Sequence, residues 1–411
     1  MKIRYVCVLI LVGRVCVAQN PESLRSLIAE ARRSNPAIQA AQRAVETSGY
    51  RPSLASAFPD TELMVQHFTV GSPRPFAGYS NSDFAYIGVG AFQEIPYPGK
   101  RGLRAKVARH ESAIAGAEKS AVTWDVLTRL KLTYLQLAAS QEILATLDKN
   151  RRVADEVERA VEARYRVGEG TQQDVLRAQL QRTRLLNEVA IEQRGRAQAQ
   201  IVLKALLNRP AQSPDIVAEP LSRRNLPSLE TLLAKLRENN PELQINAHQI
   251  AQEQAAVELA KRERKPDFGV QYMWQHTADN FRDYYQGTFS IRLPNRSRVR
   301  AAEGEAQARL AQTEAEKQSR LKQMESDLGE QFTIAQSAEQ QLKTYEDGLV
   351  PQSEAALNAG LATYRTGKQE YQGLLAAFAD TLQLAIERER LLAEHESAIA
   401  RIEGLIGEEV P

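Results

Sequence analysis

Apolar positions along this chain follow two rhythms. The first has a period of two and is confined to two short stretches. Phe268, Val270, Tyr272 and Trp274 alternate with Gly269, Gln271, Met273 and Gln275. Tyr285, Phe289, Ile291 and Leu293 alternate with Gln286, Thr288, Ser290 and Arg292. Earlier, Phe84, Tyr86 and Phe92 alternate with Ala85, Ile87 and Ala91, whereas Leu63 to Val70 alternates poorly. Successive side chains on a strand point to opposite faces, so this rhythm predicts strands over about 59–70, 83–96, 267–276 and 284–294. Residues 58–97 and 268–289 also hold fifteen of the chain's twenty-five aromatics. Alternation with aromatic ends is the pattern of transmembrane barrel strands.

The second rhythm steps by threes and fours. Leu127, Leu130, Tyr134, Leu137, Gln141 and Leu144 follow it, as do Leu321, Met324 and Leu328, then Leu342, Tyr345 and Leu349. Such spacing gives each helix one narrow apolar seam and leaves the rest wet, as in coiled coils. It predicts long helices over about 99–165 and 297–364, with return helices over 171–208 and 369–404. The first long helix would measure roughly 100 Å at about 1.5 Å per residue.

The two rhythms occur twice in the same order. "SLRSLIAEARRSNPAIQAA" matches "SLETLLAKLRENNPELQIN", and "FPDTELMV" matches "KPDFGVQY". "EIPYPGKRG" matches "IRLPNRSRV", and "ARYRVGEGTQQDVL" matches "ATYRTGKQEYQGLL". Four landmarks in one order make two tandem repeats, 19–208 and 228–411, joined by a proline-rich linker at 209–227. In each repeat a short helix stops at Asn-Pro (Asn35-Pro36, Asn240-Pro241) and a second starts there.

Composition narrows the class. Lys and Arg number 53 against 51 Asp and Glu, so no basic field points to nucleic acid. The N-terminus has a basic start at Lys2 and Arg4, an apolar run from Tyr5 to Val12, and a small-x-small site at Cys16-Val17-Ala18. This is the pattern of a signal peptide over 1–18. Cleavage there would remove both cysteines, and Val15 and Arg14 before Cys16 do not fit a lipidation signal.

Catalytic chemistry has no foothold. The five histidines, His67, His110, His248, His276 and His395, show no metal-ligand spacing. No G-x-S-x-G, H-E-x-x-H or phosphate-binding loop occurs. Carboxylate pairs such as Glu314 and Glu316 read as a solvated helix face. Neither an enzyme activity nor a cofactor nor a metal site is expected.

Four strands cannot close a barrel, and an open sheet edge in lipid leaves backbone groups unsatisfied. Membrane strands here therefore require several chains, three of which would supply twelve strands. Pro96 and Pro98 would end strand pairing, Gly99 would permit the bend into the first long helix, and Pro294 marks the second junction. Gly168 and Gly367 would end the long helices in a left-handed conformation.

At this point the duplicated halves, the signal peptide, "IPYPGKRG" and "YRVGEGTQQDVL" resemble the outer-membrane factor family of tripartite efflux systems, typified by TolC. The resemblance covers nearly the whole mature chain. It implies a mainly α fold with a small β part: a trimeric β-barrel in outer-membrane lipid that continues as an α-helical coiled-coil barrel through the periplasm. It implies a homotrimer working with a periplasmic adaptor and an inner-membrane pump, or with a type I secretion transporter. "QEIPYPGK" is most similar to the heavy-metal efflux branch. The turns would form the periplasmic tip, with Tyr165, Arg166, Val167, Gly168, Tyr364, Arg365 and Gly367 as adaptor-docking candidates, the tyrosines and arginines being exposed. Relatives carry gate aspartates after the second turn. Gly373 and Ala376 stand at the matching positions here, which leaves Asp174 or Glu370 as substitute gate charges. A secreted structural coiled-coil protein is the rival class. The doubled aromatic segments with proline–glycine junctions argue against it.

Overall fold

A computed structural model describes residues 21–69, 85–277, 283–366 and 370–410. The expected signal peptide, the outer part of the first hairpin and Gly367 lie outside these residues. The first repeat contains α1 (Leu24–Ser34), α2 (Pro36–Ser48), α3 (Arg51–Ser56), β1 (Glu62–Phe68), β2 (Tyr86–Ile95), α4 (Lys100–Arg166) and α5 (Gln172–Leu206). The second contains α6 (Leu229–Asn239), α7 (Pro241–Arg262), β3 (Asp267–Thr277), β4 (Tyr284–Arg292), α8 (Arg296–Thr344), α9 (Val350–Arg365) and α10 (Tyr371–Ile406).

The Asn-Pro pairs act as helix starts for a simple reason. Asn35 Oδ1 accepts from the backbone N–H groups of Ala37 and Ile38, and Asn240 Oδ1 from that of Leu243, so each satisfies orphan donors of the new helix. Pro36 and Pro241 sit where no N–H is needed.

The second descending helix departs from the unbroken span expected over 297–364. Residues Tyr345–Leu349 form a π-helical turn between α8 and α9. Pro351 lies just beyond it. Proline has no N–H to donate, and its ring crowds the carbonyl four residues back, here that of Asp347. The wider turn lets the helix continue past that conflict. Across it, Tyr345 donates to Glu387 at 2.7 Å. Short α3 was likewise not expected.

The four strands form one antiparallel sheet in the order β1-β2-β3-β4. Its register sorts the side chains by chemistry. One face carries the rows Leu63–Ala91–Tyr272–Gly287 and Val65–Val89–Trp274–Tyr285. The other carries Glu62–Phe92–Gln271–Thr288 and Gln66–Gly88–Gln275–Tyr284. On the first face Tyr272 stacks on Tyr285 and Phe268 on Phe289, with centroids 6.4 and 5.8 Å apart. Leu63, Val65, Tyr272, Tyr285, Phe289 and Ile291 on that face are all exposed. Gly269 is required by crowding: a Cβ there would lie 2.5 Å from Ser290 Oγ and 2.7 Å from the Phe92 ring.

The chain divides into two compact units, and neither coincides with a repeat. One draws on residues up to Arg32, on Arg129–Arg224 and on Gln336–Ser397; the other on Arg33–Thr128, Asn225–Ala335 and residues from Ala398. The long helices pass through both, so each unit takes segments from both repeats. The first unit's core joins Ile143, Leu147 and Val161 of α4 to Leu185 of α5, Leu357 of α9, and Leu374 and Phe378 of α10. The linker is strapped to this unit. Tyr134 donates to the Glu22 carbonyl at 2.9 Å and accepts from Glu219 N–H at 2.8 Å. The second unit's core joins Leu232 and Leu236 of α6 to Met324 and Leu328 of α8 and to Ile399, Ile402 and Ile406 of α10.

Linker residue Arg224 ends in a buried carboxylate. Its backbone N–H and Nε donate to Glu396 at 2.9 and 2.6 Å, and His395 Nδ1 lies 3.0 Å away. Burial alone would raise the pKa of Glu396. The hydrogen bonds from His395 and Arg224 outweigh it and hold the carboxyl below its usual value of 4.5. A depressed carboxylate contributes stability above its unfolded pKa and loses it as pH falls through the folded one. Glu396→Gln is therefore expected to cost about 2 kcal/mol near neutrality, typical of hydrogen bonds to a charge. Melting curves at a series of pH values should show the gap closing below pH 4.5. A constant gap would contradict the linkage.

Candidate functional site

The junction between β2 and α4 is built around a buried cation. Strand pairing ends at Ile95, and Pro96 offers no donor to prolong it. Tyr97 N–H turns instead to Asp267 Oδ1 at 2.7 Å, at the start of β3. Gly99 takes φ 94°, and the place of its missing Cβ is occupied by the Arg262 guanidinium, which would lie 2.7 Å from it. Arg262 also lies over the Tyr97 ring. Lys100, only 1% exposed, sets its ammonium 2.9 Å from both Glu263 and Asp267. Next to it, Arg101 stacks on Phe58 at 3.4 Å and donates to the Ser56 carbonyl. Pro96, Pro98 and Gly99 thus shape a bend whose anchor is Lys100.

The second junction is plainer. Leu293 is exposed, Pro294 partly so, and Asn295 caps α8 through bonds from Ser297 N–H and Oγ. Sequence reasoning passed over Lys100, Asp267, Glu263 and Arg262. A signal was available: a lysine in the first turn of a helix opposes the helix dipole and calls for a compensating partner.

At the other end of α4, Gly168 takes φ 81°, and Glu169 N–H reaches back to the Arg164 carbonyl at 2.9 Å. That is a left-handed helix stop. Tyr165 is 48% and Val167 71% exposed, and Arg166 is exposed beside Glu162. Asp174 starts α5. Its carboxylate accepts from Thr171 Oγ1 at 2.8 Å and from Thr171 N–H, and Thr171 Oγ1 accepts from Asp174 N–H, a reciprocal cap.

One expectation needs correcting here. Tyr364 is not exposed: it is 3% accessible and packs edge-on against Tyr371, ring centroids 6.1 Å apart. The Arg164 guanidinium lies over its ring at 5.0 Å and reaches the Tyr364 carbonyl. The structure thus joins the last turns of α4 and α9 to the first turn of α10. Burial pushes the Tyr371 phenol up to about 12, with the charges of Tyr364 and Asp174 acting the same way. Tyr371 was missed because its burial depends on the facing helix. Arg365 is exposed and pairs with Glu156 at 3.2 Å, and Glu370 is exposed. Gly367 lies outside the described residues.

Among the described residues, no group of three or more His, Cys, Asp or Glu could hold a metal ion. No helix there is long and apolar enough to cross a membrane. A groove of about 1040 Å³ is lined by α2 and α4, six alanines among them, with residues of α7 and α8, and holds none of the candidate residues.

The family described as outer membrane efflux protein matches residues 27–209. The pyoverdine export outer membrane protein OpmQ of Pseudomonas aeruginosa is 23% identical over 359 residues, 80% of this chain and 72% of OpmQ. Over its first repeat the chain thus matches the outer membrane efflux proteins, and its similarity to OpmQ covers most of both chains.

Among solved structures, the outer membrane protein VceC of Vibrio cholerae superposes with a TM-score of 0.78 at 19% identity, covering 94% of this chain and 96% of VceC. CusC gives 0.81 at 15% identity and 96% of each chain. The MtrE outer membrane channel of Neisseria gonorrhoeae, in its open state, gives 0.78 at 16% identity, covering 94% of this chain and 89% of MtrE. These likenesses extend the fold over the second repeat, beyond the stretch the family match covers. This protein is an outer-membrane channel for efflux. Its place is the outer membrane, extending into the periplasm. The family consists of channel proteins rather than enzymes, and a secreted coiled-coil rod is set aside.

Proposed function

We propose that three copies of this outer-membrane factor close one twelve-stranded barrel and conduct substrates passively outward from a periplasmic adaptor and an inner-membrane pump. The sheet is the observation that carries this reading. Its edges, β1 and β4, have no partner strand among the described residues, and one face is mostly apolar while the other is more polar, mixing Gln, Ser and Thr with Phe68, Tyr86 and Phe92. In lipid, unpaired edges are too costly, so the apolar face meets the membrane only if further copies complete the ring. The polar face then lines the lumen.

The turn ends after α4 and α9 are the proposed docking place for the adaptor. Tyr165, Arg166, Val167 and Arg365 offer the exposed contacts, Gly168 shapes the first turn, and Gly367 is its counterpart in the sequence of the second repeat. Tyr364 serves as a brace behind this surface. Asp174 is engaged in its cap, which leaves Glu370 as the better candidate for a gate charge. OpmQ is named for pyoverdine export. In the present reading the pump selects the cargo and the channel passes it on.

Purified protein added to a planar lipid bilayer should insert and give discrete conductance steps. Protein that stays in aqueous solution without detergent and gives no conductance would overturn the proposal.

A further inference from the structure

The repeat makes the two seams of the sheet comparable. Within one chain, β2 of the first repeat meets β3 of the second. If copies close the ring as proposed above, on which this inference rests, β4 of the second repeat meets β1 of the next copy's first repeat. These are the same junction in repeat terms.

Shifting the match of EIPYPGKRG to IRLPNRSRV by one residue, so that Pro96 meets Pro294, keeps apolar and polar faces in step. Glu94, Ile95 and Lys100 then correspond to Arg292, Leu293 and Arg298. Aligning Pro266-Asp267 with Pro59-Asp60 makes Asp267, Phe268, Val270 and Tyr272 correspond to Asp60, Thr61, Leu63 and Val65. The second correspondence is supported by the sheet itself, because Leu63, Val65, Val270 and Tyr272 share one face.

Inside the chain, the seam is pinned by Lys100 on Asp267 at 2.9 Å, with Ile95 opposite Phe268. The equivalents of this pair are both unspent. Asp60 and Arg298 are exposed, and neither has an ion-pair partner among the described residues. Each sits beside an open sheet edge, where Asp60 leads into β1 and Arg298 follows β4.

We infer that Arg298 of one copy pairs with Asp60 of the next, reproducing the Lys100–Asp267 lock at the inter-copy seam and setting its register with Leu293 opposite Thr61. The partner surface is a second copy of this chain. Leu293, exposed beside the edge, is covered in the process.

Two measurements test this. In the first, Asp60→Lys and Arg298→Asp are made separately and together, and oligomer surviving in SDS is quantified. Each single reversal should lose most of the resistant oligomer, and the double reversal should restore it. In the second, Thr61→Cys with Leu293→Cys is oxidised, with the unsubstituted chain as control. Directly opposed strand residues have Cα atoms about 4.5–5.5 Å apart, within disulfide reach. Covalent multimers should form, while Val65→Cys with Leu293→Cys, four residues out of register, should give few.

Single reversals that leave the oligomer intact would overturn the pairing while leaving closure by copies standing. So would crosslinking that favours the shifted pair. Failure of the double reversal to rescue, with loss of binding to anionic phospholipid vesicles in Arg298→Asp alone, would assign Arg298 to lipid headgroups instead. A chain that is monomeric in detergent would remove both readings together.

Discussion

Lys100→Ala is expected to destabilise the protein by about 3–5 kcal/mol, the usual cost of breaking a buried ion pair from one side. Lys100 is 1% exposed and answers two carboxylates, Glu263 and Asp267, each at 2.9 Å. Removing the ammonium leaves both charges facing each other with a hole between them. Tyr97 N–H still bonds Asp267 and Arg104 still pairs with Glu263 at 3.1 Å, so the junction keeps other anchors. The loss should therefore appear chiefly as lower thermal stability and lower yield of assembled protein. Lys100→Met fills the space without the charge and should remain far below wild type. Thermal melts in detergent decide: a variant melting with wild type would show that the cluster is not what fixes the junction.

Gly168→Trp is expected to leave assembled protein intact and to bring export down to near the level of a strain without the channel. The structural cost is small. A side chain in the left-handed region costs about 1–2 kcal/mol. Gly168 has φ 81°, and a Cβ there meets nothing within 4 Å. The added indole must therefore project outward between exposed Tyr165 and Val167, where a docking partner would sit. Efflux and oligomer content should be measured in parallel. Full export with intact oligomer would remove the docking assignment from this turn. Tyr364→Ala should behave differently: it removes a buried brace against Tyr371 and Arg164, so oligomer stability itself should fall.

How far the sequence could be read depended on where each side chain's partner lay. Helix starts were legible because Asn35 and Asn240 cap their own helices with groups two or three residues away. Strands β3 and β4 were legible because their alternation is nearly unbroken. β1 read poorly because Met64 lies on the polar face and His67 on the apolar one, which blurs the alternation that the register restores. Pro351 was a visible warning of irregular helix, yet the seam spacing runs straight through Tyr345–Leu349 and hid the π turn. The Lys100–Asp267 lock joins residues 167 apart in sequence, and no local pattern encodes such a pairing. Tyr364 was misjudged for the same reason. Its position beside a glycine turn implies exposure, whereas its burial is decided by Tyr371 and Arg164 on other helices.

The central claim is that one chain's four strands are a third of a membrane barrel. The mass of the detergent-extracted particle, taken by native mass spectrometry with the micelle removed, tests it most directly. Three chains per particle is the result the account predicts. A particle of one or two chains would contradict it, because four or eight of these strands would then have to satisfy their edges in lipid without the ring.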